Sequence, residues 1–284
     1  MNAKPFIKWV GGKGKLIPEL EKYLPKKFTR YYEPFVGGGA LFFSLKQSRD
    51  ISFASINDIN RKLITAYKQI QQNPKELISL LGIMESNYKK LSFKEQEKDY
   101  YKKREIYNND KLNKLNTTAY LIFLNKTCFN GMYRENSKGQ YNIPFGDQKN
   151  PTICDRENIL AVSNALKNTE ITDLAFEESV NKCKKGDFIY FDPPYCPLNA
   201  TSNFTSYSKS SFGPEEQRKL RDIYVELANR GCFIMLSNSN APLVLDLYKK
   251  YKKNIHEVYA ARSINSKGNK RGKIKEVVIT SYTI

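Results

Sequence analysis

A chain of 284 residues is long enough to bury a full hydrophobic core and suits one large or two modest domains. Lys and Arg outnumber Asp and Glu by 47 to 29, and the resulting net charge of +18 favours a polyanionic partner. No run approaches the roughly 20 apolar residues of a membrane span, which argues against a membrane protein. The N-terminal Met1-Asn2-Ala3-Lys4-Pro5 lacks a secretory apolar region and cleavage site, so a cytoplasmic protein is expected. Five scattered cysteines form no CxxC pair and His256 is the single histidine, so neither a zinc site nor a disulfide framework is expected.

Residues 6–15 hold the one tryptophan, Trp9, beside a glycine turn and Lys13. A phosphate loop fails on spacing: GxxxxGK[ST] is absent, and Leu16 follows Lys15 where a magnesium-binding hydroxyl would stand. The segment reads either as a surface turn with a packed indole or as the wall of a small-molecule pocket, with Lys13 near an acidic group. Tyr31 to Val36 reads as a strand running into Gly37-Gly38-Gly39 and an apolar helix from Ala40 to Leu45. Such a turn lets a ligand approach backbone N–H groups, although Phe42 stands where a dinucleotide fingerprint needs its third glycine. A second short strand ends at Asp58, a carboxylate placed to take ribose hydroxyls.

From residue 60 to about 128 the periodicity is helical, with Leu63, Ile64, Tyr67 and Ile70 on one face. Asn73-Pro74-Lys75-Glu76 predicts a capped helix start, and the charge-dense stretch 93–107 predicts a solvated helix. Ala119 to Leu124 is apolar and helical. In Phe129 to Gly146, Ser137-Lys138-Gly139 predicts a turn between two short strands. Arg134 suits bidentate contact with guanine O6 and N7; on these residues alone an ordinary surface hairpin is the simpler reading. Arg156 to Leu166 is then a helix, Glu170 to Thr172 a strand and Phe176 to Cys183 a short helix.

Gly186-Asp187 opens the apolar run Phe188-Ile189-Tyr190-Phe191, a buried strand that exits into Asp192-Pro193-Pro194-Tyr195. Consecutive prolines fix φ twice and remove two donors, so the backbone neither extends a ladder nor starts an ordinary helix, and its carbonyls are left free. A carboxylate, a carbonyl and an aromatic face thus converge at a strand's carboxyl end, where open α/β sheets bind ligands. That set suits an exocyclic amine on a nucleobase, whose lone pair is delocalised into the ring. Accepting both N–H bonds lets the nitrogen pyramidalise toward an electrophile, with Tyr195 stacked on the base. Alone, the tetrapeptide is a proline-rich turn with a capping Asp. A long polar loop over 196–213, a helix opened by Pro214, a buried strand 232–236, a helix over about 241–250 and strands at about 255–260 and 276–282 follow. The basic loop 262–273 suits phosphate contacts.

Phe35-Val36-Gly37-Gly38-Gly39, Asp58 and Asp192-Pro193-Pro194-Tyr195, preceded by Lys8-Trp9-Val10-Gly11-Gly12-Lys13, resemble in kind and order the Dam family of DNA adenine-N6 methyltransferases. That family includes the methylases of GATC restriction systems, and the resemblance spans nearly the whole chain. It implies an α/β, Rossmann-like, S-adenosylmethionine-dependent fold: a mixed, mostly parallel seven-stranded sheet with a helical DNA-recognition insert. Residues 1–60 and 150–284 would form the catalytic domain, and 61–149 the target-recognition domain with its DNA-reading hairpin at 129–146. The resemblance assigns Trp9, Lys13, Phe35, Gly37, Gly39, Asp58, Phe176 and Asp192 to the cofactor and Asp192, Pro193, Pro194 and Tyr195 to a flipped adenine. It assigns Lys8, Phe129, Asn130, Met132, Arg134 and Pro144 to double-stranded DNA. Ala175 stands where the family often has an acid, with Asp173 two residues earlier; Asp147 replaces a residue more often basic, which puts one phosphate contact in question.

The expected protein is a monomeric DNA adenine-N6 methyltransferase without a metal, flipping its target base. An RNA or cytosine-N4 methyltransferase shares the pocket logic, and a non-catalytic sequence-specific DNA-binding module is the rival from another class. A nicotinamide oxidoreductase is disfavoured by Phe42.

Overall fold

The computed structural model describes residues 2–109, 111–198, 212–261 and 273–284. The polar loop expected over 196–213 therefore lies outside the described residues from 199 to 211, and the basic loop expected over 262–273 lies outside them from 262 to 272.

Seven strands form one sheet: β1 (Arg30–Glu33), β2 (Phe53–Asn57), β3 (Thr169–Thr172), β4 (Phe188–Phe191), β5 (Phe233–Ser239), β6 (Ile255–Ala261) and β7 (Lys273–Thr280), in the order β3-β2-β1-β4-β5-β7-β6. β1 pairs parallel with β2 and with β4, and β4 parallel with β5, while β7 runs antiparallel to both β5 and β6. This is the mostly parallel seven-stranded α/β sheet expected. The order reverses at β1, whose neighbours β2 and β4 lie on opposite sides, and that reversal marks the crevice where doubly wound sheets bind ligands. β1 is shorter than expected and stops at Glu33, because Pro34 has no N–H to continue the ladder.

The chain divides into two compact units: Met1–Gly12, Gly37–Arg49 and Asn60–Asp173 form the first, and Lys13–Val36, Asp50–Ile59 and Leu174–Ile284 the second. In the second unit, strand alternation gives the sheet one oily face and another on which polar groups sit among buried apolar ones such as Phe188, Met235 and Val278. Tyr32, Ile189, Phe191, Ile234, Leu236, Val277 and Ile279 point into a core closed by α9 (Pro214–Asn229), through Leu220, Tyr224 and Leu227, and by Val244 of α10 (Pro242–Leu247). Each such side chain contributes about 1.5–3 kcal/mol on burial. The alternate positions, Tyr31, Glu33, Tyr190, Ser237 and Glu276, carry polar groups on the other face, where Tyr31 donates to Glu33 at 2.8 Å and Tyr190 shares a 2.8 Å hydrogen bond with Ser237.

The first unit is helical apart from β3 and includes α2 (Ala40–Ser48) and α7 (Arg156–Ala165), whereas the short α1 (Ile17–Leu20) belongs to the second. α3 (Arg61–Gln72) starts at Asn60, whose side chain accepts from Leu63 N at 3.0 Å. Before α4 (Pro74–Lys89), however, Asn73 caps through no side-chain bond; its amide instead donates to Gln69 at 3.1 Å. α6 (Lys114–Thr127) is buried on most sides and serves as the unit's central helix. The charge-dense α5 (Phe93–Asn109) is solvated on one side only: Tyr100 and Arg104 donate to Ile143 O at 2.8 and 3.0 Å, and Asn108 exchanges two hydrogen bonds with the Tyr141 backbone. After α6 the expected turn at 137–139 forms and its limbs pair antiparallel, but through two isolated bridges, Cys128↔Phe145 and Glu135↔Tyr141, and these α5 contacts rather than through two regular strands. Its return limb crosses so close that a Cβ at Gly146 would stand 2.6 Å from Cys128 O. Gly146→Ala is therefore expected to cost more than about 1 kcal/mol, because backbone has to move. Chemical denaturation measures this, and an unchanged midpoint contradicts it.

Candidate active site

The buried strand β4 delivers Asp192 at its carboxyl end, and the diproline turn stops the ladder there. Pro193 is buried and Pro194 exposed, while Asp192 and Tyr195 are half-buried. Lys13 Nζ lies 3.1 Å from Asp192 Oδ1, an ion-pair approach rather than a well-aligned hydrogen bond, with both side chains largely withdrawn from solvent. The same ammonium sits 4.4 Å from the centre of the Tyr195 ring. Burial pushes the Asp192 carboxyl up to about 6; Lys13 opposes that shift and Glu276 adds to it. Lys13 thus faces the carboxylate and lies over the aromatic ring.

The expectation that the diproline carbonyls are free holds for only one of them. Pro194 O accepts from Gln217 Nε2 at 3.0 Å, whereas Pro193 O takes no hydrogen bond among the described residues. Gln217, on α9, is buried and accepts in turn from Asn238 Nδ2 at 3.0 Å. Asn238 Oδ1 receives Cys196 N at 3.1 Å and Ser239 N at 2.8 Å, and Ser239 Oγ donates to Cys196 O at 2.6 Å. The turn is therefore locked on the side away from Asp192. Tyr195 is fixed at its far end, where its hydroxyl donates to Glu276 Oε2 at 2.8 Å.

A second clamp gathers the ends of β1 and β2 with the chain that enters α8 (Phe176–Ser179). The buried Asn57 donates to Pro34 O and Leu174 O, both at 3.1 Å, accepts from Leu174 N at 2.8 Å, and its backbone carbonyl receives Val36 N at 2.9 Å. Phe35 and Phe176 consequently stack at 5.4 Å and 30°, with Phe212 edge-on to Phe35 at 5.5 Å, and Asp58 follows Asn57 directly, half-buried. The second unit thus carries Lys13, Phe35, Asp58, Phe176, Asp192, Pro193, Pro194 and Tyr195 on the carboxyl-end loops of its parallel strands and on the segment that opens it.

The remaining sequence-derived candidates belong to the first unit. Trp9 stacks on Tyr133 at 4.5 Å and 20°. Gly37 (φ +47) and Gly39 (φ +71) hold the left-handed backbone that L side chains avoid, and a Cβ there would lie 2.8 Å from the Trp9 indole and 2.7 Å from the Tyr67 hydroxyl respectively. Protein atoms, as well as any ligand, thus demand glycine at both positions. Lys8 is tied to the 129–146 loop by Asn125, which accepts from Lys8 N at 2.9 Å and donates to Lys8 O at 2.9 Å and Gly131 O at 3.1 Å. Lys8, Phe129, Asn130, Arg134 and Pro144 are exposed and Met132 is half-buried. Arg134 Nε donates to Asn142 Oδ1 at 2.9 Å, which restrains the exposed guanidinium.

Gln217, Asn238, Glu276, Asn57 and Asn125 were not singled out from the sequence. A polar residue inside or ending an apolar strand or helix was the available signal for Asn57, Asn125 and Asn238. Among the described residues there is no group of three or more His, Cys, Asp and Glu side chains able to hold a metal, and no helix long and apolar enough to cross a membrane.

A doubly wound sheet that ends in an acid, a diproline turn and an aromatic ring at its switch point defines a nucleobase amino-methyltransferase of the α/β class. The family model for D12 class N6 adenine-specific DNA methyltransferases matches residues 9–264, and the chain belongs to that family. It is 42% identical over 284 residues to the type II methyltransferase M1.LlaDCHI of Lactococcus lactis subsp. cremoris, covering 99% of this chain and 96% of that protein. It is likewise 42% identical over 291 residues to the type II methyltransferase M.MjaIII of Methanocaldococcus jannaschii, covering 99% and 100%. Against the DNA adenine methylase of Escherichia coli K12 the identity is 31% over 278 residues, covering 97% and 94%.

Gln217→Ala would leave the buried Asn238 amide without its partner and release the Pro194 carbonyl. A loss of about 1–3 kcal/mol in unfolding free energy is expected; an unchanged denaturation midpoint contradicts the clamp.

Proposed function

We propose that this adenine-specific DNA methyltransferase acts as a monomer on double-stranded DNA, transferring a methyl group from S-adenosylmethionine to the adenine N6 of GATC. The observation that carries this reading is the half-buried Asp192 carboxylate facing an ammonium over the Tyr195 ring, an arrangement that accepts positively polarised N–H groups above an aromatic face. Asp192 and the Pro193 carbonyl accept the two N6–H bonds of a flipped adenine. Its lone pair is thereby freed from the ring, and this interaction strengthens as positive charge develops on nitrogen. With its pKa raised to about 6, Asp192 is basic enough to take the proton N6 releases and weak enough to lose it at neutral pH.

The residues at the ends of β1 and β2 fit the cofactor. Stacked Phe35 and Phe176 offer an aromatic edge to its adenine, and Asp58 offers two acceptors to its ribose hydroxyls. Lys13 and Asp192 complete that set in the second unit; Trp9, Gly37 and Gly39 are assigned to the cofactor by family resemblance. When bound, S-adenosylmethionine supplies the methyl group as an electrophilic carbon on a sulfonium.

Residues 61–149 are proposed as the target-recognition part, with Arg134 reading a guanine and Lys8, Phe129, Asn130, Met132 and Pro144 completing the DNA contacts. GATC rests on family resemblance together with the presentation of Arg134.

Asp192→Ala is expected to abolish labelled methyl transfer to DNA while DNA binding by gel shift remains close to wild type; transfer near the wild-type rate would remove Asp192 from its role. Because Asp192 must be ionised to accept the amine, wild-type transfer should be full above about pH 7 and fall with pH through about 6, approaching tenfold per unit. A rate flat down to about pH 5 contradicts this assignment. Arg134→Ala should cost about 1–3 kcal/mol and relax choice at one guanine, whereas uniform loss across all sequences would make Arg134 a phosphate contact.

A further inference from the structure

Glu276 belongs to a strand far from every motif above, yet it reaches the catalytic turn. β7 pairs with β5 in the register Ser239↔Glu276, which sets Glu276 level with the carboxyl end of β5. Val277 and Ile279, out of phase with Glu276 along the strand, face the core beneath α9, so Glu276 projects from the opposite face of the sheet, half-buried. There its carboxylate receives the Tyr195 hydroxyl at 2.8 Å. Rotation about the Cα–Cβ bond swings the whole Tyr195 ring, and a hydrogen bond at the para hydroxyl, at the far end of that lever, opposes it. The backbone side of the same residue is held through Pro194 and Gln217.

We propose that Glu276 is a positioning residue for methyl transfer, holding the Tyr195 ring in the orientation that stacks on the target base. This inference rests on the reading of Asp192 and Tyr195 given above. The groups facing Asp192 are Lys13 from the opening segment, Tyr31 from β1, Tyr190 from β4, Tyr195 beyond the turn and Glu276 from β7; Glu33 lies behind Tyr31. Of the anions among them, Glu276 acts directly on Asp192, so its charge has a consequence separate from its hydrogen bond: it keeps the Asp192 carboxyl higher than Lys13 alone would leave it.

The test is steady-state methylation of adenine-containing duplex by the full chain, with Glu276→Gln, Glu276→Ala, Tyr195→Phe and the double variant Glu276→Ala/Tyr195→Phe. Glu276→Gln retains an acceptor and should keep plateau kcat within about threefold, while its acid limb moves to lower pH. Glu276→Ala should lower kcat roughly tenfold with a much smaller change in KM, the size expected when one buried hydrogen bond is lost. In the Tyr195→Phe background, where the donor is already gone, Glu276→Ala should add no further loss in kcat. Wild-type kcat in Glu276→Ala, an acid limb unmoved in Glu276→Gln, or full additivity in the double variant would each overturn the proposal. Those outcomes presuppose a wild-type chain that methylates adenine; absence of that activity would instead sink the functional reading itself.

Discussion

The structure depends on keeping a carboxylate where it is uncomfortable. Asp192 ends a strand whose residues are all buried, and burial raises its carboxyl from the ordinary 3.8 to about 6. The sign of the linkage follows: below the ordinary carboxylate range the group is neutral folded or unfolded and no penalty exists. The penalty grows as pH rises through that window and is complete above about 6. Lys13 offsets part of it, and the same desolvation sharpens the carboxylate's preference for a polarised N–H.

Holding that carboxylate in place requires a turn that cannot relax. Two prolines restrict the backbone, but restriction alone does not aim it. The aim comes from Gln217 on the Pro194 carbonyl, from Asn238 beneath Cys196, and from Glu276 at the Tyr195 hydroxyl. Asn57 does the equivalent work for the neighbouring loops, binding Pro34 and Leu174 so that Phe35 and Phe176 stack beside Asp58. In each case a buried amide or carboxylate is satisfied by backbone or side-chain partners on other elements, and losing one partner costs more than the bond itself contributed. The oily face of the sheet supplies the stability against which such polar groups can be buried.

Much of this was legible in the sequence because the motifs are local. The glycine turn after β1, the acid after β2 and the diproline turn after β4 are each contiguous, and all three fall at strand ends of the seven-stranded sheet. What was not legible is set by register and long-range packing. Glu276 gains its meaning from a pairing with Ser239 and from a residue 81 positions away. Gln217 is one polar position on the helix opened by Pro214, and the charge density of α5 gives no sign that Tyr100, Arg104 and Asn108 grip the 129–146 loop. That loop defeated a strand assignment because its hydrogen bonds go to α5 side chains as well as to its own backbone.

The most direct measurement is the identity of the modified nucleoside after plasmid DNA is incubated with the protein and S-adenosylmethionine, digested and analysed by mass spectrometry. A carboxylate and a proline carbonyl gripping an adenine amine predict N6-methyl-2′-deoxyadenosine as the sole methylated nucleoside gained. Methylated cytosine, or no methylated base from a folded chain, would contradict the account.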